Sequence, residues 1–365
     1  MKMRVLISGG GTGGHIFPAI AIAKEIERRY PDTHFLFVGA SDRMEMEKIP
    51  SAGYHIKGLW ITGFKRNFSI LNLLLPLKVV FSLVKSFFII HRFKPQIVIG
   101  TGGFASGPIL YIASLMDIPT LIQEQNSYPG ITNRLLSSRV KSICVAYKGL
   151  DRYFPKEKII LTGNPIRKEI EIETYNRKIE VRRLGLSPDK PIVLVIGGSL
   201  GAKKLNEVIL ENIHWFKNNE VQLIWQTGKL YYSLCKKSKN ILGSWGIIQP
   251  FINKMGPILS IADIVISRAG AIALSEICCL GKISILVPSP NVAEDHQTKN
   301  ALALTENLAA LMVEEKNIEK ELFLNLHSLI ANNELKNKIS VNSRKMANIC
   351  AAKNIVDQIN LLLND

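Results

Sequence analysis

His15 and Glu124 are the side chains of this sequence best placed to act as a general base. His15 follows the turn at residues 9–14, where a helix would begin, and the positive end of a helix favours a neutral imidazole that can accept a proton. Glu124 ends a predicted strand, at the edge where open α/β sheets bind ligands. The two residues compete for one role. Each also has a structural alternative, His15 as a helix cap or core residue and Glu124, with Asn126, as a hydrogen-bonding partner of nearby loops.

Four glycine-rich turns each follow a short apolar run and precede a helical pattern. They lie at residues 9–14, 100–107, 197–201 and 268–270. Glycine lets the backbone approach a ligand closely, and the N–H groups that begin the next helix attract anionic oxygens. Because each half of the chain has two such turns, the sequence predicts two phosphate-bearing ligands that meet across a cleft.

Common nucleotide and metal motifs are incomplete in this chain. The first turn fits G-x-G-x-x-G, but the second predicted strand ends without the acidic residue that binds a dinucleotide ribose, so nicotinamide and flavin cofactors are not expected. The third turn lacks the Gly-Lys-Ser/Thr ending of a P-loop, which argues against ATP hydrolysis. With no D-x-D pair, we expect no metal. Helix N-termini and basic groups, with Arg167 as the best candidate, would neutralise a diphosphate leaving group.

Three features of the second half suit a nucleotide sugar. Ser199 lies in the third turn, where its hydroxyl and neighbouring N–H groups could hold a diphosphate, although a tight turn without a ligand is the alternative. Glu276 comes six residues after Gly270, and a carboxylate there can accept hydrogen bonds from two ribose hydroxyls. The polar run at residues 294–300 suits a hydroxylated sugar, unless it only caps the helix that it opens.

The pattern of elements predicts an α/β protein with two domains. The chain has 365 residues, 47% of them hydrophobic, which is more than one domain of usual size holds. Strands and helices alternate from Arg4 and again from Pro191, as in two doubly wound parallel sheets. We place the domains at 1–166 and 167–345, and expect a final helix at about 346–365 to dock back onto the first.

The start of the chain has no apolar core of a signal peptide, which predicts a cytoplasmic protein. The five cysteines include no C-x-x-C pair, which predicts neither disulfides nor a zinc site.

The net charge of +16 permits nucleic acid, an anionic membrane surface or a phosphorylated substrate as partner. Residues 70–93 are strongly apolar, yet Lys78, Lys85 and Arg92 recur at every seventh position, along one stripe of a helix. This pattern predicts a helix that lies in a membrane interface, and the alternative is a core helix with a solvated basic edge. Pro76 and the lysines argue against a spanning helix. Nucleic acid is disfavoured because aromatic and basic residues do not interleave.

Taken in order, the motifs resemble those of the MurG glycosyltransferases over most of the chain. The segments that carry the resemblance are GGTGGHIFPA at 10–19, GGFASGP at 102–108, EQN at 124–126, GNPIR at 163–167, GGSLGA at 197–202, SRAGA at 267–271, SE at 275–276 and DHQ at 295–297. The resemblance implies the GT-B fold, in which two Rossmann-like domains face a cleft. The first would handle mainly the acceptor and the second mainly UDP-GlcNAc.

The same resemblance implies an activity and a set of site residues. The activity is inverting transfer of N-acetylglucosamine to the 4-hydroxyl of undecaprenyl-diphosphate-linked N-acetylmuramyl-pentapeptide, a step of peptidoglycan synthesis at the cytoplasmic side of a bacterial inner membrane. His15 would be the base, with Glu124 as the alternative, and no cofactor is implied. Gly102, Gly103 and Ser106 would hold the acceptor diphosphate. The implied donor contacts are Thr12, Gly13, Gly14, Asn126, Arg167, Ser199, Ile252, Ala271, Ile272, Ala273, Leu274, Ser275, Glu276 and Gln297.

Two other functions fit parts of the pattern. A different GT-B transferase would keep the glycines and use another lipid acceptor, and it would differ at residues 102–108 and around Asn126. A nucleotide-sugar-binding module without turnover would keep the donor contacts and lack a working base.

Overall fold

The computed structural model describes residues 3–63, 74–172, 174–198 and 200–364. The chain divides into two compact units, one of Met1–Ile166 with Cys350–Asp365 and one of Arg167–Ile349. Ser199 and the first four residues of the predicted interfacial segment, 70–73, lie outside the described residues.

The first unit alternates strands and helices. Its strands are β1 (Arg4–Gly9), β2 (His34–Ala40), β3 (Ile56–Leu59), β4 (Ile97–Gly102), β5 (Thr120–Glu124), β6 (Ser142–Val145) and β7 (Ile159–Leu161). Its helices are α1 (Gly13–Arg29), α2 (Glu45–Ser51), α3 (Leu75–Phe93), α4 (Ser106–Leu115) and α5 (Ile131–Leu136), joined by the last helix of the chain, Ala351–Asn364. Within the described residues the strands form one parallel sheet in the order β3-β2-β1-β4-β5-β6-β7.

The second unit repeats this plan. Its helices are α6 (Lys168–Ile172), α7 (Arg177–Arg183), α8 (Lys203–Glu211), α9 (Ile213–Asn218), α10 (Tyr232–Cys235), α11 (Lys239–Leu242), α12 (Met255–Ile261), α13 (Ala271–Cys279), α14 (His296–Thr305), α15 (Ile318–Ala331) and α16 (Asn333–Lys345). The last helix of the chain, Ala351–Asn364, which belongs to the first unit, is α17. Its strands are β8 (Ile192–Ile196), β9 (Gln222–Gln226), β10 (Gly246–Gln249), β11 (Ile264–Ser267), β12 (Ile283–Leu286) and β13 (Leu311–Met312). The described strands form a parallel sheet in the order β10-β9-β8-β11-β12-β13.

Both sheets are doubly wound, which confirms the predicted α/β class. The central strands are buried along their whole length, as in IVLVI of β8, because helices cover both faces of a parallel sheet. The strand order reverses between β1 and β4 in one sheet and between β8 and β11 in the other. The four glycine turns follow these four strands. The topology therefore brings the turns together in pairs, at the switch point of each sheet, where open α/β folds bind ligands.

Helix α17 closes the first unit although it ends the chain. Ile355, Val356 and Ile359 are fully buried in the same apolar cluster as Ile22 and Ile26 of α1. At the margin of this contact, Arg29 donates a hydrogen bond of 2.5 Å to Asp357. Apolar burial is therefore what fastens the end of the chain to the first sheet.

Candidate active site

The first two glycine turns lie against each other at the carboxyl ends of β1 and β4. The N–H of Gly10 donates to the carbonyl of Gly102 at 3.3 Å, and the Thr101 hydroxyl donates to the carbonyl of His15 at 2.8 Å. Gly103 has a φ of +83°, and a Cβ there would lie 2.3 Å from the carbonyl oxygen of Gly10. Only glycine allows this approach.

The imidazole of His15 is held between these two turns. Its Nδ1 lies 2.8 Å from the carbonyl oxygen of Gly10. A carbonyl only accepts hydrogen bonds, so Nδ1 carries the proton of the neutral ring and Nε2 is the basic nitrogen. The ring also lies close to Gly102, where a Cβ would be 3.1 Å from Nε2. The fold thus gives His15 the tautomer that a proton acceptor at Nε2 needs.

Glu124, at the end of β5, is buried and accepts four hydrogen bonds. The donors are the N–H and side-chain amide of Asn126 at 3.0 and 3.1 Å, the N–H of Gly130 at 3.1 Å and the side-chain amide of Asn133 at 2.8 Å. Each oxygen receives two of these bonds, and together they fix the loop between β5 and α5. This arrangement matches the structural alternative for Glu124.

The residues expected at the acceptor diphosphate lie between the last residue of β4 and the first residue of α4. Ser106 is fully buried, and its hydroxyl donates to the carbonyl of Gly103 at 2.8 Å. The hydroxyl therefore closes the turn, and the expected contact of Ser106 with the acceptor diphosphate stays a prediction. Gly102 and Gly103 do lie at the switch point, beside His15.

Of the donor contacts implied in the first unit, three precede or begin α1 and one follows β5. Thr12 is exposed at the cap position of α1, and Gly13 and Gly14 are the first residues of that helix. Asn126 lies against Glu124, as described above. The N-terminal end of α1 and Asn126 therefore lie at the same edge of the sheet, after β1 and β5.

The second unit has a cavity of about 660 Å³ at its own switch point. This volume lies in the range of small-molecule sites. Both glycine turns of the second half line the cavity, as do the first residues of α8 and residues that follow β12. The lining residues include Gly197, Gly198, Gly201, Ala202, Lys203, Ser267, Arg268, Gly270, Ala273, Ser289 and Gln297. Helices α8 and α13 thus begin at this cavity, a suitable place for an anion.

Two of the implied donor contacts, Ala273 and Gln297, line the cavity. The side-chain oxygen of Gln297 accepts the N–H of Ser289 at 2.9 Å, which leaves its amide NH₂ as a donor. Ile252 is buried, and its N–H donates to Gln226 at 2.9 Å. The remaining implied contacts on α13, apart from Glu276, are Ala271, Ile272, Leu274 and Ser275.

Glu276 is a buried carboxyl group on α13. Burial raises its pKa to about 7, against the attraction of Arg167, which lowers it, and with a further rise from Glu169. The Nε of Arg167 lies 3.3 Å from Oε1 of Glu276, and this oxygen has no hydrogen-bond donor among the described residues. A buried acceptor of this kind fits a ligand hydroxyl. Arg167, which we expect at the diphosphate, lies beside Glu276, and its contact with the diphosphate stays a prediction.

Sequence reasoning missed the structural role of Arg268 in the fourth turn. Its guanidinium donates to the carbonyls of Val287 and Pro288, both at 3.1 Å, and pairs with Glu315. These bonds tie the end of β11 to the end of β12 on the wall of the cavity. No local signal predicts the pair, because Glu315 lies 47 residues further along the chain.

Helix α3 carries a continuous apolar surface. Six of its large apolar residues recur at helical spacing and are between 43% and 63% exposed, namely Leu77, Val80, Phe81, Val84, Phe87 and Phe88. We call these six residues the α3 apolar face. No helix in the described part of the chain is both long and apolar enough to span a bilayer.

The predicted basic stripe on α3 requires a correction at Lys78. Lys78 is buried, its Nζ lies 5.3 Å from the ring centre of Trp60, and it donates to Thr62 at 3.3 Å. Its chain lies along the apolar surface, and its charge faces an aromatic ring rather than solvent. Lys85 is half-buried and Arg92 is exposed. The helix therefore presents apolar residues to solvent, with basic residues only towards its C-terminal end.

Comparison with known proteins relates both units to one family. Residues 5–145 match the glycosyltransferase family 28 N-terminal domain, and residues 192–359 match the C-terminal domain of that family. A relative from Christiangramia forsetii is 50% identical over 363 residues, covering 100% of this chain and 98% of its own. A relative from Flavobacterium psychrophilum is 48% identical, covering 98% and 97%. Both are named UDP-N-acetylglucosamine–N-acetylmuramyl-(pentapeptide) pyrophosphoryl-undecaprenol N-acetylglucosamine transferase. The crystal structure of Acinetobacter baumannii MurG matches with a TM-score of 0.77 and 27% identity, covering 98% of this chain and 99% of that one.

Proposed function

This chain belongs to the MurG family of glycosyltransferases, with its GT-B fold of two Rossmann-like domains, and we propose that it carries out the reaction for which its relatives are named. It transfers N-acetylglucosamine from UDP-GlcNAc to undecaprenyl-diphosphate-linked N-acetylmuramyl-pentapeptide, in peptidoglycan synthesis. The observation that carries the proposal is the pairing of glycine turns at both switch points, because donor and acceptor each contain a diphosphate.

The donor is held mainly by the second unit. The diphosphate of UDP-GlcNAc lies at the N-terminal ends of α8 and α13, whose N–H groups compensate its negative charge without a metal ion. The amide NH₂ of Gln297 donates to a sugar hydroxyl. Glu276 accepts hydrogen bonds from the ribose hydroxyls, which supply the donors that its Oε1 lacks. Ser199 belongs to the third glycine turn, at residues 197–201, and remains a proposed contact of the diphosphate.

The transfer step uses His15 as the general base. The 4-hydroxyl oxygen of the muramyl sugar attacks the anomeric carbon, and the bond from that carbon to the diphosphate breaks, so that the configuration inverts. The electron pair of this bond leaves with UDP, and the hydroxyl proton passes to Nε2 of His15. Two features support this assignment: Gly10 fixes the proton of the neutral ring on Nδ1, and the oxygens of Glu124 are already engaged.

The acceptor lipid brings the enzyme to a membrane surface. The α3 apolar face supports binding at the interface, since each exposed phenylalanine or leucine contributes roughly 2 kcal/mol when it leaves water. The net charge of +16 adds attraction to anionic lipids. We therefore propose a peripheral protein on the cytoplasmic leaflet, with the acceptor diphosphate held near the N–H groups of Gly102 and Gly103.

The test is a UDP-release assay with UDP-GlcNAc and the lipid-linked muramyl acceptor. His15→Gln should lower kcat by about 100-fold or more, because it removes a proton acceptor, while calorimetric affinity for UDP-GlcNAc changes little. Glu124→Gln serves as the comparison and should affect kcat less. An unaltered kcat in His15→Gln contradicts the assignment of the base. Absence of UDP release from the unaltered protein with this acceptor, but release with another lipid, favours a different transferase.

A further inference from the structure

Glu45, the first residue of α2, is a fully buried carboxylate beneath the first glycine turn. One oxygen accepts the N–H of Ala40, at the end of β2, and the other accepts the N–H of Gly11, both at 3.0 Å. A Cβ on Gly10 would lie 2.1 Å from Oε1 of Glu45, so the carboxylate also touches the turn directly. A buried carboxylate needs such partners, and here they are backbone groups that no ligand supplies.

The position of Glu45 changes the expected role of the first turn. In a dinucleotide-binding domain an acidic residue after the second strand binds a ribose hydroxyl. Here Glu45, which follows the second strand, binds the backbone of the protein itself. The N–H of Gly11 donates its hydrogen bond to Glu45, so the negative charge of that carboxylate lies beside the turn. Residues 10 and 11 are therefore unsuited to bind a phosphate.

One peptide plane connects Glu45 with His15. The carbonyl of Gly10 and the N–H of Gly11 belong to the same planar peptide group, so neither can turn without the other. The N–H is bonded to Glu45, and the carbonyl accepts from Nδ1 of His15 at 2.8 Å. Between two glycines such a plane flips at little steric cost, and Gly11 has a φ of +86°. The carboxylate is the group that holds this plane in one orientation.

We propose that Glu45 is a positioning residue for the transfer reaction. It fixes the peptide plane between Gly10 and Gly11, and the plane fixes the proton of His15 on Nδ1. Nε2 is thereby the basic nitrogen of the ring, the one that takes the proton of the acceptor hydroxyl in the proposed reaction. The catalytic part of this inference rests on the proposed function, because it takes His15 as the base of that reaction. The link between the carboxylate and the imidazole does not depend on the substrate.

The experiment is Glu45→Gln, read by ¹⁵N NMR of the His15 ring at about pH 8.5, above the ordinary histidine pKa. Glutamine offers one acceptor oxygen to the two N–H groups of Ala40 and Gly11, and its NH₂ repels the other, so the hold on the peptide plane weakens. We expect the Nδ1–H tautomer of the unaltered protein to give way to a mixture. Glu47→Gln is the matched control, since it makes the same change on the exposed side of α2 and should leave the ring signals unaltered. His15→Gln identifies the signals.

A kinetic readout separates positioning from general stability. Glu45→Gln should lower kcat by up to about 100-fold through misplacement of the base, with little change in the KM for UDP-GlcNAc. Gly10→Ala is the second variant in case Glu45→Gln does not fold, because its Cβ displaces the carboxylate without removing it. It should shift the tautomer in the same direction.

The outcomes distinguish this inference from the proposed function. An unchanged His15 tautomer in the folded variants overturns the link, whatever the kinetics. A shifted tautomer with unchanged kcat overturns the positioning role. If the tautomer shifts in Glu45→Gln but the unaltered protein turns over no lipid acceptor, the link between Glu45 and His15 stands and the proposed function is wrong.

Discussion

Replacing Glu276 by glutamine should change how the stability of the second unit depends on pH. In the folded protein, burial raises the pKa of this carboxyl from 4.5 to about 7. Between these two values the folded state keeps a proton that the unfolded chain has lost, so the free energy of unfolding falls as the pH rises. Glutamine has the same shape and carries no titrating proton. In the variant, the free energy of unfolding therefore does not show this decrease between pH 4.5 and 7.

The size of the effect follows from the shift. Each pKa unit corresponds to about 1.4 kcal/mol, so the carboxyl of Glu276 costs about 3 kcal/mol of unfolding free energy once the pH is above 7. The free energy of unfolding of Glu276→Gln, relative to that of the unaltered protein, should therefore rise by this amount as the pH goes from 4.5 to 7. Above pH 7 the difference between the two proteins should stay constant. With an m-value of about 2 kcal/mol/M, the urea midpoint difference should grow by about 1.5 M.

Tryptophan fluorescence during urea unfolding measures this difference, because Trp215, Trp225 and Trp245 all lie in the second unit. Glu211→Gln is the matched control, since it removes an exposed carboxylate from the same unit. A difference between Glu276→Gln and the unaltered protein that stays constant from pH 4.5 to 8 would refute the argument from burial.

Three further predictions concern the first unit. Phe81→Asp with Phe88→Asp should abolish sedimentation with anionic vesicles while circular dichroism stays unchanged, because both side chains belong to the exposed α3 apolar face; retained binding would contradict the interfacial role. Lys78→Glu, by contrast, should lower the melting temperature, since Lys78 is buried against Trp60. Ile355→Ala should destabilise the first unit by about 2 to 4 kcal/mol through the cavity it leaves, whereas the exposed Leu361→Ala should change the unfolding free energy little.

The sequence determined the central strands and the turns that follow them. The apolar runs at Ile192–Ile196 and Gln222–Gln226 predict two strands, and β8 and β9 have these same bounds, because an apolar run between turn residues is a local signal. The glycine turns were equally visible, since the need for glycine comes from the backbone itself. Short edge strands such as β3 and β10 were not predicted, because four residues carry too weak a pattern and their pairing partner defines them.

Tertiary structure decided which groups act on one another. Strand order places β2 beside β1, and only this brings Glu45 to the N–H of Gly11, 34 residues away. The same folding buries Lys78, against the basic stripe that the sequence suggested, and it surrounds Glu124 with donors, as in the structural alternative stated for that residue. Residue types and spacing predict what chemistry a side chain can do. Its partners, burial and tautomer depend on distant segments that meet only in the folded chain. The residue types by themselves therefore left His15 and Glu124 competing for one role, and only the family resemblance ranked His15 first.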